Sequence, residues 1–304
     1  MLLLAGHRRG FARTFIIGQA AAHSIDGVDS MADLQARATA GNGNSAANAT
    51  GARRLRITLD KGVATLWLDN PSRRNALDLE AWTALSNLTD WPMDWPSVRA
   101  LVVRGVSGCF CAGADIGEFD TVRRDALSAR AYEDANEAAF AALQTLPVPT
   151  IALIEGPCFG GGFGIAAACD VRFATPDARF AIPAARLGLA YPLDAMARIV
   201  ATLGEQNAKA MLYGAEAFPA ERLAQWGFLW RVSPAAIEEG LAFAARVERN
   251  APLTNRATKL AIAAHAGGDR SAAQEAGDAT FTSDDYGEGR TAFRQKRAPR
   301  FQGR

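Results

Sequence analysis

The chain has 304 residues, 49% of them hydrophobic and 21% charged, with a formal net charge of +1. That composition suits one large globular domain, or a domain with an appendage. The near-neutral balance excludes a general nucleic-acid binder, and no run nears the roughly 18 apolar residues of a membrane span, which excludes a membrane protein. Cys109, Cys111, Cys158 and Cys169 form no C-x-x-C pair, and His7, His23 and His265 lie far from them in sequence. Neither a metal site nor a disulfide framework is therefore expected. Four such thiols read as small apolar side chains in a reducing compartment, which points to the cytoplasm.

Residues 1–52 stand apart. "MLLLAGHRRGFARTFIIGQAAAHS" carries Arg8, Arg9 and Arg13 and no acid before Asp26, and Leu2–Ala5 is too short for a secretory apolar region. The stretch reads either as an organelle transit peptide over residues 1–30, which would put the protein in the mitochondrial matrix, or as a start placed too early, with Met31 the true one. "ATAGNGNSAANATGA" (38–52) is small, polar and turn-rich, the composition of a disordered linker. Residues 1–52 are set outside the fold as an extension or transit segment.

From Leu55 the pattern tightens. "RITLDKGVATLWLDN" predicts two strands around an Asp60-Lys61-Gly62 turn. "LDLEAWTALSNL" (77–88) has helical spacing, with Asp78 as N-cap. "RALVVRG" (99–105) predicts a buried strand, "SARAYEDANEAAFAALQTL" (128–146) a long helix stopped by Pro147 and Pro149, and "TIALIEG" (150–156) a second buried strand. A glycine turn, a helix and the strand "VRFAT" (171–175) follow. Asp194 reads as N-cap of the helix "AMARIVATLG". After about residue 205 the segments are helical. Strands alternating with helices predict an α/β fold.

Two glycine turns follow two of these strands. "GVSGCFCAGADIGEF" (105–119) leaves the first and "GPCFGGGFG" (156–164) the second, each placing small residues at a strand's carboxyl end. In open α/β sheets ligands sit at that edge. The second turn also opens a helix, whose free N–H groups favour negative charge on an oxygen. Two N–H groups converging from the two turns would make an oxyanion hole. Tight strand–helix packing is the competing explanation. Neither a P-loop nor a dinucleotide fingerprint fits, because no Gly-Lys-Ser/Thr follows and the glycine spacing is wrong.

Five segments in order resemble the enoyl-CoA hydratase/isomerase (crotonase) superfamily: "NPSRRNALD" (70–78), "GCFCAGADIGEF" (108–119), "PTIALIEGPCFGGGFGIAAACDVRFAT" (149–175), "PAERLAQWGFLWRV" (219–232) and "FTSDDYGEGRTAFRQKRAPRF" (281–301). The resemblance implies a spiral of ββα units over 53–250 and a helical region over 251–304 that builds trimers, often paired into hexamers. It implies an acyl-CoA thioester as ligand, with coenzyme A as substrate carrier and no separate cofactor. The thioester oxygen would lie between the N–H groups of Ala114 and Gly161, where an enolate is stabilised. Arg73 and Arg74 fall in the segment that meets the nucleotide. Ala112 and Asp115 flank the first donor. Phe293 and Lys296 match a tail that reaches coenzyme A from a neighbouring subunit.

The chain departs from the family where acid–base chemistry is expected. The two glutamates that hydratases of this family use to add water fall on Gly164 and Ala184. The glycine at 164 is expected to leave room for a bulky acyl group, and restoring Gly164→Glu with Ala184→Glu to raise hydratase activity. Glu155, Asp115, Glu118, Arg186, Tyr191 and Asp194 are the nearby polar candidates, with Tyr191 and Asp194 best placed for catalysis. Asp115 and Glu118 read equally as helix-starting acids, and "YP" at 191–192 as a turn former. No histidine neighbours the cysteines, so a thiol nucleophile is not expected. Leu187, Leu189 and Leu193 read as an apolar acyl wall or as core. Three functions follow: a hydratase/isomerase-type enzyme with reassigned polar groups, a decarboxylase of malonyl-type thioesters using Tyr191, or an acyl-CoA binder without catalysis.

Overall fold

The first structural unit is the hairpin around Asp60. Strands β2 (Leu55–Asp60) and β3 (Val63–Leu68) pair antiparallel from Leu55↔Leu68 to Asp60↔Val63. Lys61 and Gly62 between them both have positive φ, 47° and 86°, as a two-residue primed turn requires. The structure is a computed structural model that describes residues 54–304, together with the backbone of a further strand, β1 (Ala49–Ala52), antiparallel to β2. That strand corrects the linker expectation for residues 49–52, because its backbone pairs at the edge of the sheet; the rest of the linker, 38–48, and the transit-peptide and early-start readings fall outside the described residues.

Four parallel strands continue the sheet: β4 (Ala100–Gly105), β5 (Thr150–Ile154), β7 (Val171–Ala174) and β10 (Arg231–Val232), in the order β1-β2-β3-β4-β5-β7-β10. A second sheet joins β6 (Pro157–Phe159), β8 (Arg179–Ala181) and β9 (Phe218–Pro219). These last three strands are too short to show as periodicity in the sequence.

The helices are α1 (Leu79–Ser86), α2 (Phe119–Val122), α3 (Ala126–Thr145), α4 (Gly161–Ala168), α5 (Leu193–Leu203), α6 (Glu205–Gly214), α7 (Ala220–Gln225), α8 (Ala236–Arg249), α9 (Pro252–His265), α10 (Arg270–Phe281) and α11 (Asp284–Gln295). The Asp78 carboxylate accepts from Ala81 N at 3.0 Å, so the expected cap of α1 is present. Asp125 and Ser128 close a reciprocal capping box on α3.

Burial explains why the central strands are apolar throughout. Along β4 and β5, Leu101, Val103, Ala152 and Ile154 face the main core, while Ala100, Val102, Ile151 and Leu153 face a second core against Ala236, Ala244 and Val247 of α8. A parallel sheet covered on both faces needs such strands. Gly240 lets α8 sit on the sheet, since a Cβ there would overlap Leu153. On the main-core side lie Trp82 of α1, Tyr132, Phe140 and Leu143 of α3, and Phe163 of α4. Among the described residues no helix is long and apolar enough to cross a membrane.

Candidate active site

Strands β4 and β5 are parallel neighbours, so the chain leaves both at the same edge. Beyond the strand ends the loops keep bonding to one another. Phe110 N donates to Glu155 O, Cys111 N to Pro157 O, and Phe159 N to Cys111 O, at 2.7–2.9 Å. This extra ladder carries Gly113-Ala114 alongside Gly160-Gly161. The approach leaves no room for side chains: a Cβ on Gly113, whose φ is +102°, would lie 2.8 Å from Phe159 O and 3.3 Å from Gly161 N. A Cβ on Gly161 would lie 3.7 Å from Ala114 N.

The two amides thus share one locality. Leu77 N donates to Gly113 O and Asp115 N to Leu77 O, which leaves the Ala114 N–H between them outside the bridge. In α4 the first helical bond runs from Gly164 N to Gly160 O. Among the described residues neither Ala114 N nor Gly161 N donates to a protein acceptor. Orphan donors are expected in a helix's first turn; the Ala114 N–H, on a half-buried loop residue, is left to solvent or a ligand.

The first turn is braced from below by Asn75, which is fully buried with φ +57°. Its Nδ2 donates to Val106 O and Cys109 O, and its Oδ1 accepts from Asn70 N. Asp115 caps a short turn by accepting from Gly117 N at 3.0 Å. Glu118 accepts from Leu79 N at the start of α1. Burial pushes Glu118 above the usual carboxylate range, against the pull of that N–H bond. Both acids are therefore used in starting helices.

At Gly164 and Ala184, where the resemblance leads one to expect glutamates, the surroundings are apolar. Gly164 is buried, and the space beside it is filled by Phe140 of α3: a Cβ on Gly164 would overlap the ring's Cζ and lie 2.7 and 2.9 Å from Cε1 and Cε2. This corrects the expectation that the glycine leaves room for an acyl group. It leaves room for Phe140, which sits edge-on to Trp82 with centroids 5.7 Å apart. Ala184 is buried in a 3-10 turn, Pro183–Leu187.

Tyr191 lies near the glycine turn, and its hydroxyl donates to Gly160 O at 3.1 Å. Asp194 is exposed in the first turn of α5, whose N-cap is Pro192, and its side chain makes no hydrogen bond among the described residues. The N-cap expectation for Asp194 is corrected accordingly. Chain direction sets this, because the helix already begins at Leu193. The α5 amide at Ala195 is satisfied instead by Glu137 of α3, at 3.0 Å. Glu155 pairs with Arg104 at 3.2 Å, and Arg186 is exposed. Leu187 and Leu193 are exposed, while Leu189 packs on the core. The cysteines are free, three of them buried, and burial pushes the Cys111 and Cys169 thiols up to about 12. They remain protonated at neutral pH, poor nucleophiles.

The residues expected at coenzyme A divide in two. Arg73 and Arg74 are exposed beside the first turn: Arg73 lies 3.5 Å from Asp115, and Arg74 O accepts from Ala112 N at 2.9 Å. Phe293 and Lys296 sit at the end of α11, both exposed, and neither bonds to the two turns among the described residues.

Sequence reading missed Phe140, Trp82 and Glu137. Phe140 and Trp82 carry ordinary helical-core spacing, and nothing in the sequence links position 140 to 164. Glu137 belongs to a run of acids on α3 that reads as a solvated face. Instead it is partly buried, caps α5, and is pushed up by burial, with Arg198 opposing.

A family model described as enoyl-CoA hydratase/isomerase matches residues 58–304. A probable enoyl-CoA hydratase of Mycobacterium tuberculosis is 33% identical over 254 residues, 81% of this chain and 98% of its own. The 2,3-dehydroadipyl-CoA hydratase of Escherichia coli is 31% identical over 260 residues, 82% of this chain and 99% of its own. The crystal structure of an enoyl-CoA hydratase/carnithine racemase from Magnetospirillum magneticum matches with a TM-score of 0.78 at 31% identity, over 83% of this chain and 97% of that one. The expected α/β architecture with a helical C-terminal region is borne out by that match.

Proposed function

We propose a reaction class from one premise: the chain belongs to the enoyl-CoA hydratase/isomerase family. It is an enzyme that binds an acyl-CoA thioester with the carbonyl oxygen between the N–H groups of Ala114 and Gly161, and it stabilises the enolate formed from that thioester. One observation carries this reading: two neighbouring amides, from turns that exit adjacent parallel strands, have no protein acceptor among the described residues. A donor of this kind is worth about 3–4 kcal/mol to a transition state with charge on that oxygen. Arg73 and Arg74 meet the phosphates of coenzyme A, and Phe293 and Lys296 complete the site from a neighbouring subunit of a trimer or hexamer.

Calorimetry tests the reading. A saturated acyl-CoA thioester should bind roughly tenfold tighter than the S-alkyl-CoA thioether of equal length, because only the thioester offers an acceptor to the two donors. Equal affinities would refute it.

A second reading, acyl-CoA binding without turnover, is favoured by Phe140. Its ring occupies the space where a glutamate at 164 would begin, and Ala184 supplies no polar group. Positioned acids and bases contribute about 10²–10⁴-fold each, so hydration of crotonyl-CoA separates the two: turnover above the buffer rate supports the enzyme, and binding without turnover of a substrate panel supports the carrier. Decarboxylation through Tyr191 has less support, since the Tyr191 hydroxyl proton is already given to Gly160 O.

A further inference from the structure

The Gly160–Gly161 peptide is the least self-supporting part of the site. Gly160 has φ +50° and ψ −115°, and Gly161 and Gly162 follow it without side chains. Nothing intrinsic to three glycines holds a peptide plane in one orientation. The plane matters because it is rigid: the Gly160 carbonyl and the Gly161 N–H belong to one planar trans unit and point in opposite directions. Whatever grips the carbonyl therefore aims the N–H.

Two donors grip that carbonyl. Gly164 N–H bonds to it within α4 at 3.1 Å, and the Tyr191 hydroxyl bonds to it at 3.1 Å from the segment between the Pro183–Leu187 turn and α5. Together they use both lone pairs of the oxygen. Turning the peptide away costs two hydrogen bonds with Tyr191 present and one without it. A hydrogen bond into the carbonyl also polarises the amide of the same unit, strengthening its N–H as a donor. The tyrosine ring is partly buried against the main core, so its hydroxyl is held in place. Burial pushes the phenol above its ordinary value, which keeps it an O–H donor across the neutral range.

We propose that Tyr191 is a positioning residue: its hydroxyl holds and polarises the Gly160–Gly161 peptide so that the Gly161 N–H is presented to a thioester oxygen. The inference rests on the acyl-CoA reading above. It reassigns Tyr191 from contact with the substrate to action through the backbone donor. It also gives the segment that carries Ala184 in place of a glutamate a remaining task, since that segment leads directly into Tyr191.

The test is isotope-edited difference infrared spectroscopy of the full chain with butyryl-CoA labelled with ¹³C at the carbonyl. In the wild-type complex the carbonyl stretch should move to lower frequency than in free ligand, because two donors share its oxygen. In Tyr191→Phe the downshift should shrink by about half and affinity fall roughly two- to tenfold, the range for one neutral hydrogen bond. Replacing Tyr191 by 3-fluorotyrosine, whose hydroxyl is more acidic, should enlarge the downshift. A purely structural tyrosine would lower stability or affinity and leave the bound frequency unchanged, so an undiminished downshift in Tyr191→Phe overturns the proposal. Should the phenylalanine variant not fold, the fluorotyrosine protein decides: a downshift no larger than wild type overturns it. Absence of any downshift in the wild-type complex would instead sink the acyl-CoA reading itself, and the inference with it.

Discussion

Adding one methyl group at position 164 probes the filled pocket directly. Replacing glycine by alanine inside a helix ordinarily stabilises it by about 0.5–1 kcal/mol. Here the new carbon would overlap Cζ of Phe140 and lie 2.7 and 2.9 Å from two further ring carbons. Carbon atoms settle at about 3.5–4.0 Å, so the ring must retreat by about 1 Å. It has little freedom to do so, being 1% exposed, edge-on to Trp82 and covered by the Arg198 guanidinium 5.6 Å from its centre. Overpacking costs about 1–3 kcal/mol, and three close ring atoms argue for the upper part of that range. Against the helix gain, Gly164→Ala should lose about 1–2 kcal/mol, roughly 2–4 °C in Tm for a domain of this size. Urea unfolding followed by tryptophan fluorescence measures it. Phe140→Ala combined with Gly164→Ala should recover about 1 kcal/mol or more relative to the sum of the single changes. A Gly164→Ala protein as stable as wild type, or strictly additive effects, would refute the account. The same geometry alters the expectation for Gly164→Glu with Ala184→Glu: hydration of crotonyl-CoA should rise only when Phe140 is also reduced to alanine.

Further outcomes are expected elsewhere in the site and tail. Gly161→Ala would put a Cβ 2.7 Å from Cζ2 of the buried Trp82; displacement of that amide should abolish most of the thioester-over-thioether preference, read by calorimetry. Asn75→Ala should cost about 2–4 kcal/mol in urea unfolding, because it strands buried carbonyls and places alanine at positive φ. Glu288 is held at about 2 by paired hydrogen bonds from Arg297, helped by Arg300 N. A carboxylate lowered on folding adds stability that is complete above its ordinary pKa of about 4.3. That stability fades as pH falls towards the folded value of about 2. Thermal melts between those limits should therefore show a shallower decline for Glu288→Gln than for wild type; parallel curves would contradict the assignment.

What the sequence by itself determined was local chemistry and pattern. Asp60-Lys61-Gly62 called for a turn between two strands, Asp78 for a helix cap, and the apolar runs at 99–105 and 150–156 for buried strands, each decided by neighbours within a few residues. Five ordered segments also carried the family resemblance, and with it the absence of glutamates at 164 and 184. Tertiary structure alone decided how those pieces meet. The two glycine turns lie about fifty residues apart in the chain, and they converge because β4 and β5 are adjacent and their exit loops go on hydrogen-bonding past the strand ends. The same physics made the misreadings: a glycine looks like empty space until the helix packed against it is known, and Phe140 fills that space. A tyrosine in a loop looks free to meet a substrate until its hydroxyl is found on the Gly160 carbonyl. Sequence records which groups are present, whereas packing decides which of them are already spoken for.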